Sequence, residues 1–248
     1  MVGYGGVFIT CLFVVQDSSQ NNILADDLLK RAVILCLGGA EPFLFDCVRI
    51  LLNQNYPRYD LKLVIDSLED PAGKIAIDSI QQQQATNVLI SPLTIIRKNC
   101  NLKCSSIVQT VLQLDNSYQV VALIDADTVV YLNWRRKLVT PLSDRQVGAT
   151  TGRRWYLLTN VYWGSLVRYI WNVSTVVQMY LFGTPWGGTL AIKTQVLHQT
   201  GLLDKWGQAY SEDTMIRSVL KKYEMQVKFV LSLVMLNREK CNLPSLRY

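Results

Sequence analysis

The 248-residue chain has one histidine, His198, and only 18% charged residues. A lone histidine leaves a Ser-His-Asp or Cys-His scheme poorly supplied, and His198, which follows Val196-Leu197 on a predicted helix, reads as structural. The cysteines are few and dispersed, at Cys11, Cys36, Cys47, Cys100, Cys104 and Cys241. Only Cys100 and Cys104 are close together, which is neither a zinc-ligand spacing nor a dense disulfide framework. Reduced, mostly buried thiols in a cytosolic setting are expected. The apolar stretch Val2–Val15 has no basic n-region and is short for a membrane span, so no secretion signal is read. A peripheral strand, the remnant of a membrane anchor and an interfacial patch all stay open for it. RNA-recognition, zinc-finger and helix-turn-helix signatures are missing, and no nucleic-acid partner is expected. Internal repeats and long linkers are missing too.

What the chain does have is apolar content and an excess of positive charge. Half its residues are hydrophobic and the formal net charge is +6. Its basic residues are scattered, apart from Arg135-Arg136-Lys137 and Arg153-Arg154. With nucleic acid set aside, this balance suits anionic lipid or a phosphorylated substrate.

Strand and helix signals alternate for most of the length, which predicts an α/β fold with a mixed, mostly parallel sheet flanked by helices. Strands are predicted at 32–37, closed by Gly38-Gly39, and at 61–65, 88–90, 120–124 and 189–192. Helices are predicted at 41–53, 72–84, 104–114, 134–142, 194–199 and from about Glu212. The first of these helices should stop at Tyr56-Pro57, because proline disfavours helix in the residue before it. Residues between the helices at 194–199 and 212 read as a polar loop. The segment 162–182 carries one charge, Arg168, and the aromatics Trp163, Tyr169, Trp171, Tyr180 and Phe182. Its composition suits either a membrane interface or a helix covering the sheet.

Four acidic or glycine features carry the chemistry. Val120–Ile124 ends at Asp125-Ala126-Asp127, two carboxylates one residue apart. Alternate residues of an extended strand point the same way, so both can face one cation. Burying such a pair is costly without a compensating charge. Leu61–Ile65 ends at Asp66, with Glu69 or Asp70 standing in if the register is shifted. Trp186-Gly187-Gly188-Thr189 precedes a strand, and Ser211-Glu212-Asp213 opens a predicted helix. Each has a plainer explanation: strand-end turns for the first three, a helix N-cap and first-turn charges for the last. In open α/β sheets, however, ligands bind at the carboxyl ends of strands, where Asp66 and Asp125-Ala126-Asp127 both fall.

The order of these motifs resembles family 2 glycosyltransferases over residues 30 to 248. "LLNQNYPRYDLKLVID" is similar to the family's opening, and "WGGTLAIKTQVL…GLLDKWGQAYSEDTMIRSVLKK" to its acceptor side. "VIDSLEDPA" is similar to the ceramide-glucosyltransferase-like and cellulose-synthase-like branches. The resemblance implies a GT-A (Rossmann-like) domain over 30–248 behind an apolar extension, 1–29. Its nucleotide-binding half would span about 30–130 and its acceptor half about 145–248. It implies an inverting hexose transfer from a nucleotide sugar, a UDP-sugar foremost, to a hydroxyl of a lipid or glycan. Asp66, Lys103, Asp125 and Arg247 would bind the donor. Asp127 would bind Mg²⁺ or Mn²⁺, and Asp213 would be the catalytic base. Trp186, Gly187, Gly188, Thr189 and Glu212 would shape the acceptor side.

The chemistry fits those residue types. A nucleoside diphosphate leaves badly unless its charge is neutralised, which a metal does as a Lewis acid. A carboxylate within hydrogen-bond reach can take the acceptor's proton. Membrane-bound members of the family carry Q-x-x-R-W downstream; here the corresponding stretch is Pro244-Ser245-Leu246-Arg247-Tyr248, and the membrane helices that usually follow are missing. A divergent soluble member, a fragment cut at its C-terminus, and a weakened enzyme acting as a binding or membrane-assembly module all remain open. A nucleotidyltransferase predicts a basic glycine-rich loop after the first strand, whereas Gly38-Gly39 is followed by Ala40-Glu41. The expected setting is cytoplasmic, with attachment at the inner face of a membrane as the variant the basic balance favours.

Overall fold

The sheet is built outward from β1 (Lys30–Leu37), whose residues Ala32 to Leu35 are all fully buried. A computed structural model describes residues 30–39, 41, 43–54, 58–128, 130–156 and 162–237. The extension 1–29, Tyr56-Pro57, Cys11, Cys241 and Arg247 lie outside the described residues. β1 pairs in parallel with β2 (Tyr59–Ile65) on one side and β4 (Tyr118–Ile124) on the other. β3 (Val88–Pro92) adds to β2, again in parallel. Strands buried on both faces read as unbroken apolar runs, and β1 and β4 are such runs. The sheet has seven strands in the order β3-β2-β1-β4-β6-β5-β7. β6 (Thr189–Lys193) is antiparallel to both neighbours, β4 and β5 (Val147–Tyr156). β7 (Gln226–Asn237) closes the edge parallel to β5. The mixed, mostly parallel α/β expectation therefore holds.

Alternation along the strands divides the core into two layers. Val33, Leu35, Val120, Ala122 and Ile124 face α1 (Leu44–Leu52), α2 (Pro71–Gln83) and α4 (Trp134–Val139). Ile34, Val121 and Leu123 face α3 (Leu102–Leu112), α6 (Thr194–Gln199), α7 (Leu202–Trp206) and α8 (Ile216–Lys222). Cys36, Cys47, Cys100 and Cys104 are free thiols. Three differences from the sequence expectation matter for the site. β5 and β7 are strands where none is predicted. The supposed polar loop contains α7, which buries Leu202, Leu203 and Trp206. The helix expected from Glu212 starts at Ile216, because 211–215 is spent in turns.

The twenty-residue α5 (Trp163–Phe182) packs on β5. Asn172 Nδ2 donates to the Arg154 carbonyl at 3.0 Å, and Tyr169 meets Trp155 edge-on. Ser165, Asn172, Val176 and Met179, on one helical stripe, are buried. Trp163, Val167, Ile170, Trp171 and Leu181, on the opposite stripe, are exposed, Trp171 at 74%. The helix thus presents apolar surface outward. No helix among the described residues is long and apolar enough to cross a membrane.

Candidate active site

Topology places the acidic motifs together. β1, β2 and β4 run in parallel, with Leu37 opposite Ile65 and Leu35 opposite Ile124, so Gly38, Asp66 and Asp125 all emerge at one edge of the sheet. β6 runs the other way, with Thr189 opposite Ile124, so the turn before it, Gly187-Gly188, starts at that same edge. β5 is antiparallel to β6 and brings up Arg153 and Arg154 at its far end. β7, parallel to β5, ends there with Asn237 opposite Tyr156. A cavity of about 300 Å³ opens at this edge, lined by Cys36, Gly38, Glu41, Phe43, Asp125, Ala126, Asp127 and Asn237.

Charges alternate around the two aspartates of the cavity wall. Lys103 Nζ lies 2.6 Å from Asp125 Oδ1 and 2.5 Å from Glu212 Oε1. The ammonium is held well above its ordinary pKa: burial pulls it down, but Asp125 and Glu212 outweigh that. Arg154 sits on the other side of Asp125, with Nη2 3.1 Å from Asp125 Oδ2. Its two terminal nitrogens also fork onto Asp127, Nη1 to Oδ2 at 3.0 Å and Nη2 to Oδ1 at 3.1 Å. The arginine pKa is likewise raised; burial opposes the charge, and Asp127 first, then Tyr156 and Asp125, prevail. Asn237 Nδ2 reaches the Asp127 carbonyl at 3.3 Å. The Thr128 hydroxyl donates to the Asp125 carbonyl at 2.8 Å, closing the turn that holds both aspartates.

Asp213 stands across the Gly187 turn. Its Oδ2 accepts from Gly187 N at 3.2 Å and its Oδ1 from the Ser211 hydroxyl at 2.5 Å. The expected cap is thereby corrected: Ser211 caps no helix, because its hydroxyl is turned onto Asp213 and the helix begins five residues later. Gly187 and Gly188 are glycines for lack of room. A Cβ on Gly187 would run into the Glu212 carboxylate, and one on Gly188 into Trp186 and Asp125. Asp66 follows β2 and points its carboxylate at Gly38. Its pKa is raised, first by burial and then by the charge of Asp70. Asp70 itself caps α2 through Ala72 N at 2.8 Å and takes Gly39 N at 2.9 Å, so it is committed to structure.

Asp66, Lys103, Asp125, Asp127, Trp186, Gly187, Gly188 and Asp213 therefore belong to one edge. Of the residues grouped with the acceptor side, Gly187, Gly188, Thr189 and Glu212 are buried, and the side chains of Thr189 and Glu212 sit beneath the surface. Thr189 is fully buried, its hydroxyl accepting from Trp134 Nε1 at 2.6 Å. Glu212 is 4% exposed, anchors Lys103, and has its carbonyl bonded by Trp206 Nε1 at 2.7 Å. Both support the wall that other residues expose. Arg154, Asn237 and Cys36 are additions to which the sequence reading gave no role in the site. The Cys36 thiol, pushed up to about 12 by burial, lines the cavity.

Solved structures share this architecture. The chain superposes on a mannosyltransferase from Pyrobaculum calidifontis, determined with GDP-Man and Mn²⁺, with a TM-score of 0.63 at 15% identity, covering 84% of this chain and 56% of that one. On residues 1–349 of TarS from S. aureus the TM-score is 0.60 at 12% identity, covering 85% and 60%. On glucosyl-3-phosphoglycerate synthase from Mycobacterium tuberculosis, determined with Mn²⁺, UDP and phosphoglyceric acid, it is 0.57 at 13% identity, covering 88% and 74%. The chain thus spans less than two thirds of the first two structures. These likenesses define the fold as that of the GT-A glycosyltransferases. None of the curated proteins compared matches the chain. The family model of glycosyl transferase family 21 matches residues 32–247, and the chain belongs to that family. The sequence resemblance was to family 2, so the family number differs while the glycosyltransferase class and GT-A fold stand.

Proposed function

We propose that this chain carries an inverting, divalent-metal-dependent transfer of a hexose from a nucleotide sugar, a UDP-sugar foremost, to a hydroxyl of a lipid or glycan. The observation that carries this is the convergence of Asp125, Asp127 and Asp213 at one sheet edge, with the Gly187-Gly188 turn between them. The donor half is 30–130 and the acceptor half 145–248.

The residues fit one Mg²⁺ or Mn²⁺. Among the described residues no group of three His, Cys, Asp or Glu side chains gathers as a closed ligand cage. A hard cation that serves a diphosphate does not need one, since one or two carboxylates and the phosphates suffice. Asp127 lines the cavity with hard oxygen donors and would hold the ion. The ion, when bound, neutralises charge on the departing nucleoside diphosphate. Asp125, fixed by Lys103, faces the donor. Asp66, at the neighbouring strand end, accepts from the base or ribose. Asp213 has both oxygens oriented by donors, and the remaining lone pairs are placed to take the proton of an incoming hydroxyl. Gly187 and Gly188 leave room for Glu212, Trp186 and Asp125 to shape the floor where acceptor and donor sugar are proposed to meet. Arg247 is proposed to reach the diphosphate, as the resemblance implies.

The exposed apolar stripe of α5 supports an acceptor at a membrane surface. Trp163, Ile170 and Trp171 suit the headgroup boundary, and the net charge of +6 suits anionic lipid. This favours peripheral attachment at a cytoplasmic membrane face and, with it, the lipid-modifying, ceramide-glucosyltransferase-like reading. The testing experiment is a donor panel assayed with Mn²⁺ and with chelator. Metal-dependent release of a nucleoside diphosphate from one donor is the expected result; release unaffected by chelator removes the metal role, and no donor bound at all removes the proposal.

A further inference from the structure

We propose that the Arg154 guanidinium is a built-in counter-cation, holding Asp125 and Asp127 when no divalent ion is bound and turning to the donor's diphosphate when one binds. The inference rests on the reading of Asp127 as the metal-binding residue. Two carboxylates one residue apart at a cavity wall repel unless neutralised. Lys103 is already shared between Asp125 and the buried Glu212. Arg154 is a cation seen on Asp127 among the described residues, and it reaches Asp125 as well.

The geometry supports a counter-cation over an ordinary surface pair. The guanidinium takes both Asp127 oxygens in a fork and reaches Asp125 with the same Nη2. Its side chain is 19% exposed. It lies 4.9 Å from the Trp186 ring centre, and Nη1 also donates to the Tyr156 hydroxyl at 2.9 Å. The backbone behind it is pinned by Asn172 at 3.0 Å. Its Nε is buried with no hydrogen-bond partner among the described residues. The cation thus engages the Asp127 oxygens that would hold an ion. A dication held by Asp127 and the guanidinium would repel, so binding of the ion would weaken the guanidinium's contacts there. The displaced fork, hinged on a fixed backbone beside the cavity, matches a phosphate in geometry and charge.

The test reads binding, not turnover. Mn²⁺ alone, followed by electron paramagnetic resonance of the free ion, and UDP at saturating Mn²⁺, followed by calorimetry, are titrated into the full chain and into Arg154→Gln and Arg154→Lys. Arg154→Gln should bind Mn²⁺ at least about fivefold tighter and UDP at least about fivefold weaker, since one positive charge leaves the site. Arg154→Lys, which keeps the charge but loses the fork, should stay close to the parent for Mn²⁺ and still lose UDP affinity; it carries the test if Arg154→Gln fails to fold. Opposite signs for the two ligands are not expected of a merely structural arginine. Unchanged or weaker Mn²⁺ binding in Arg154→Gln, with Asp127→Ala still abolishing Mn²⁺-dependent UDP binding, overturns the counter-cation while leaving the site reading in place. An Asp127→Ala protein that binds Mn²⁺ and UDP normally overturns both.

Discussion

Glu212 is a buried carboxylate facing one cation, Lys103, and that sets the stakes of a single substitution. Lys103→Met leaves Glu212 buried without a counter-charge and strips Asp125 of one of its two cations. Breaking a buried pair by removing one partner costs roughly 2–4 kcal/mol where one side is partly wet, as Lys103 and Asp125 are. Denaturant unfolding checks this; an unchanged midpoint would show that water already screens the pair. The raised lysine pKa has a defined sign. Its stabilisation is complete below the ordinary lysine value of 10.5 and is lost only as pH rises through the higher folded value. Asp66 behaves oppositely to a paired carboxylate. Its folded pKa lies above the ordinary 3.8, so its charge costs stability once pH has risen through that folded value. Asp66→Asn should therefore melt above the parent at neutral pH. The difference should vanish near about pH 3, where the carboxyl is protonated in both states. Donor affinity should fall in the same variant. A lower melting temperature at neutral pH would contradict the assignment.

At the scale of elements, the turn before β6 and the strand β5 decide the site. Gly187→Ala places a methyl on the Glu212 carboxylate, which cannot retreat without releasing Lys103. The expected cost is about 1–3 kcal/mol with loss of transfer, read by thermal melting and product formation together. The acidic strand ends were legible because Val120–Ile124 and Leu61–Ile65 are apolar runs that stop at a carboxylate. β5 was not, for a physical reason. Its first six residues, Val147 to Gly152, are all buried, so no two-residue alternation marks it, and its glycines, threonines and arginines read as loop. The only trace of Arg154 was the basic pair Arg153-Arg154. β7 does carry a local pattern, apolar at Val227, Phe229, Leu231, Leu233 and Met235, which the reading of the sequence passed over; its pairing with β5 comes only from the fold. In α7, Leu202, Leu203 and Trp206 fill one turn, too short for a period to show. α5 was legible in composition but not in direction. Replacing both exposed Ile170 and Trp171 by Ser should cut recovery on anionic vesicles by about tenfold, with the melting temperature unchanged. Undiminished flotation would locate lipid contact elsewhere.

At the scale of the whole molecule, residues from five strand ends and two loops meet because parallel strands share an edge and an antiparallel one returns to it. The motif order along the chain indicated a glycosyltransferase, but the neutralising cation of the site came only with the strand register. The account's central claim is that Asp127 and Asp213 divide metal-dependent donor binding from proton transfer at one edge of the sheet. The most direct test compares Asp213→Asn with Asp127→Ala on the donor the panel identifies, measuring Mn²⁺-dependent donor affinity and transfer on the same preparations. The account predicts near-parental affinity with transfer lowered about 10²–10⁴-fold in Asp213→Asn, and at least about tenfold weaker donor binding in Asp127→Ala. Parental transfer in Asp213→Asn, or parental Mn²⁺-dependent binding in Asp127→Ala, would contradict it.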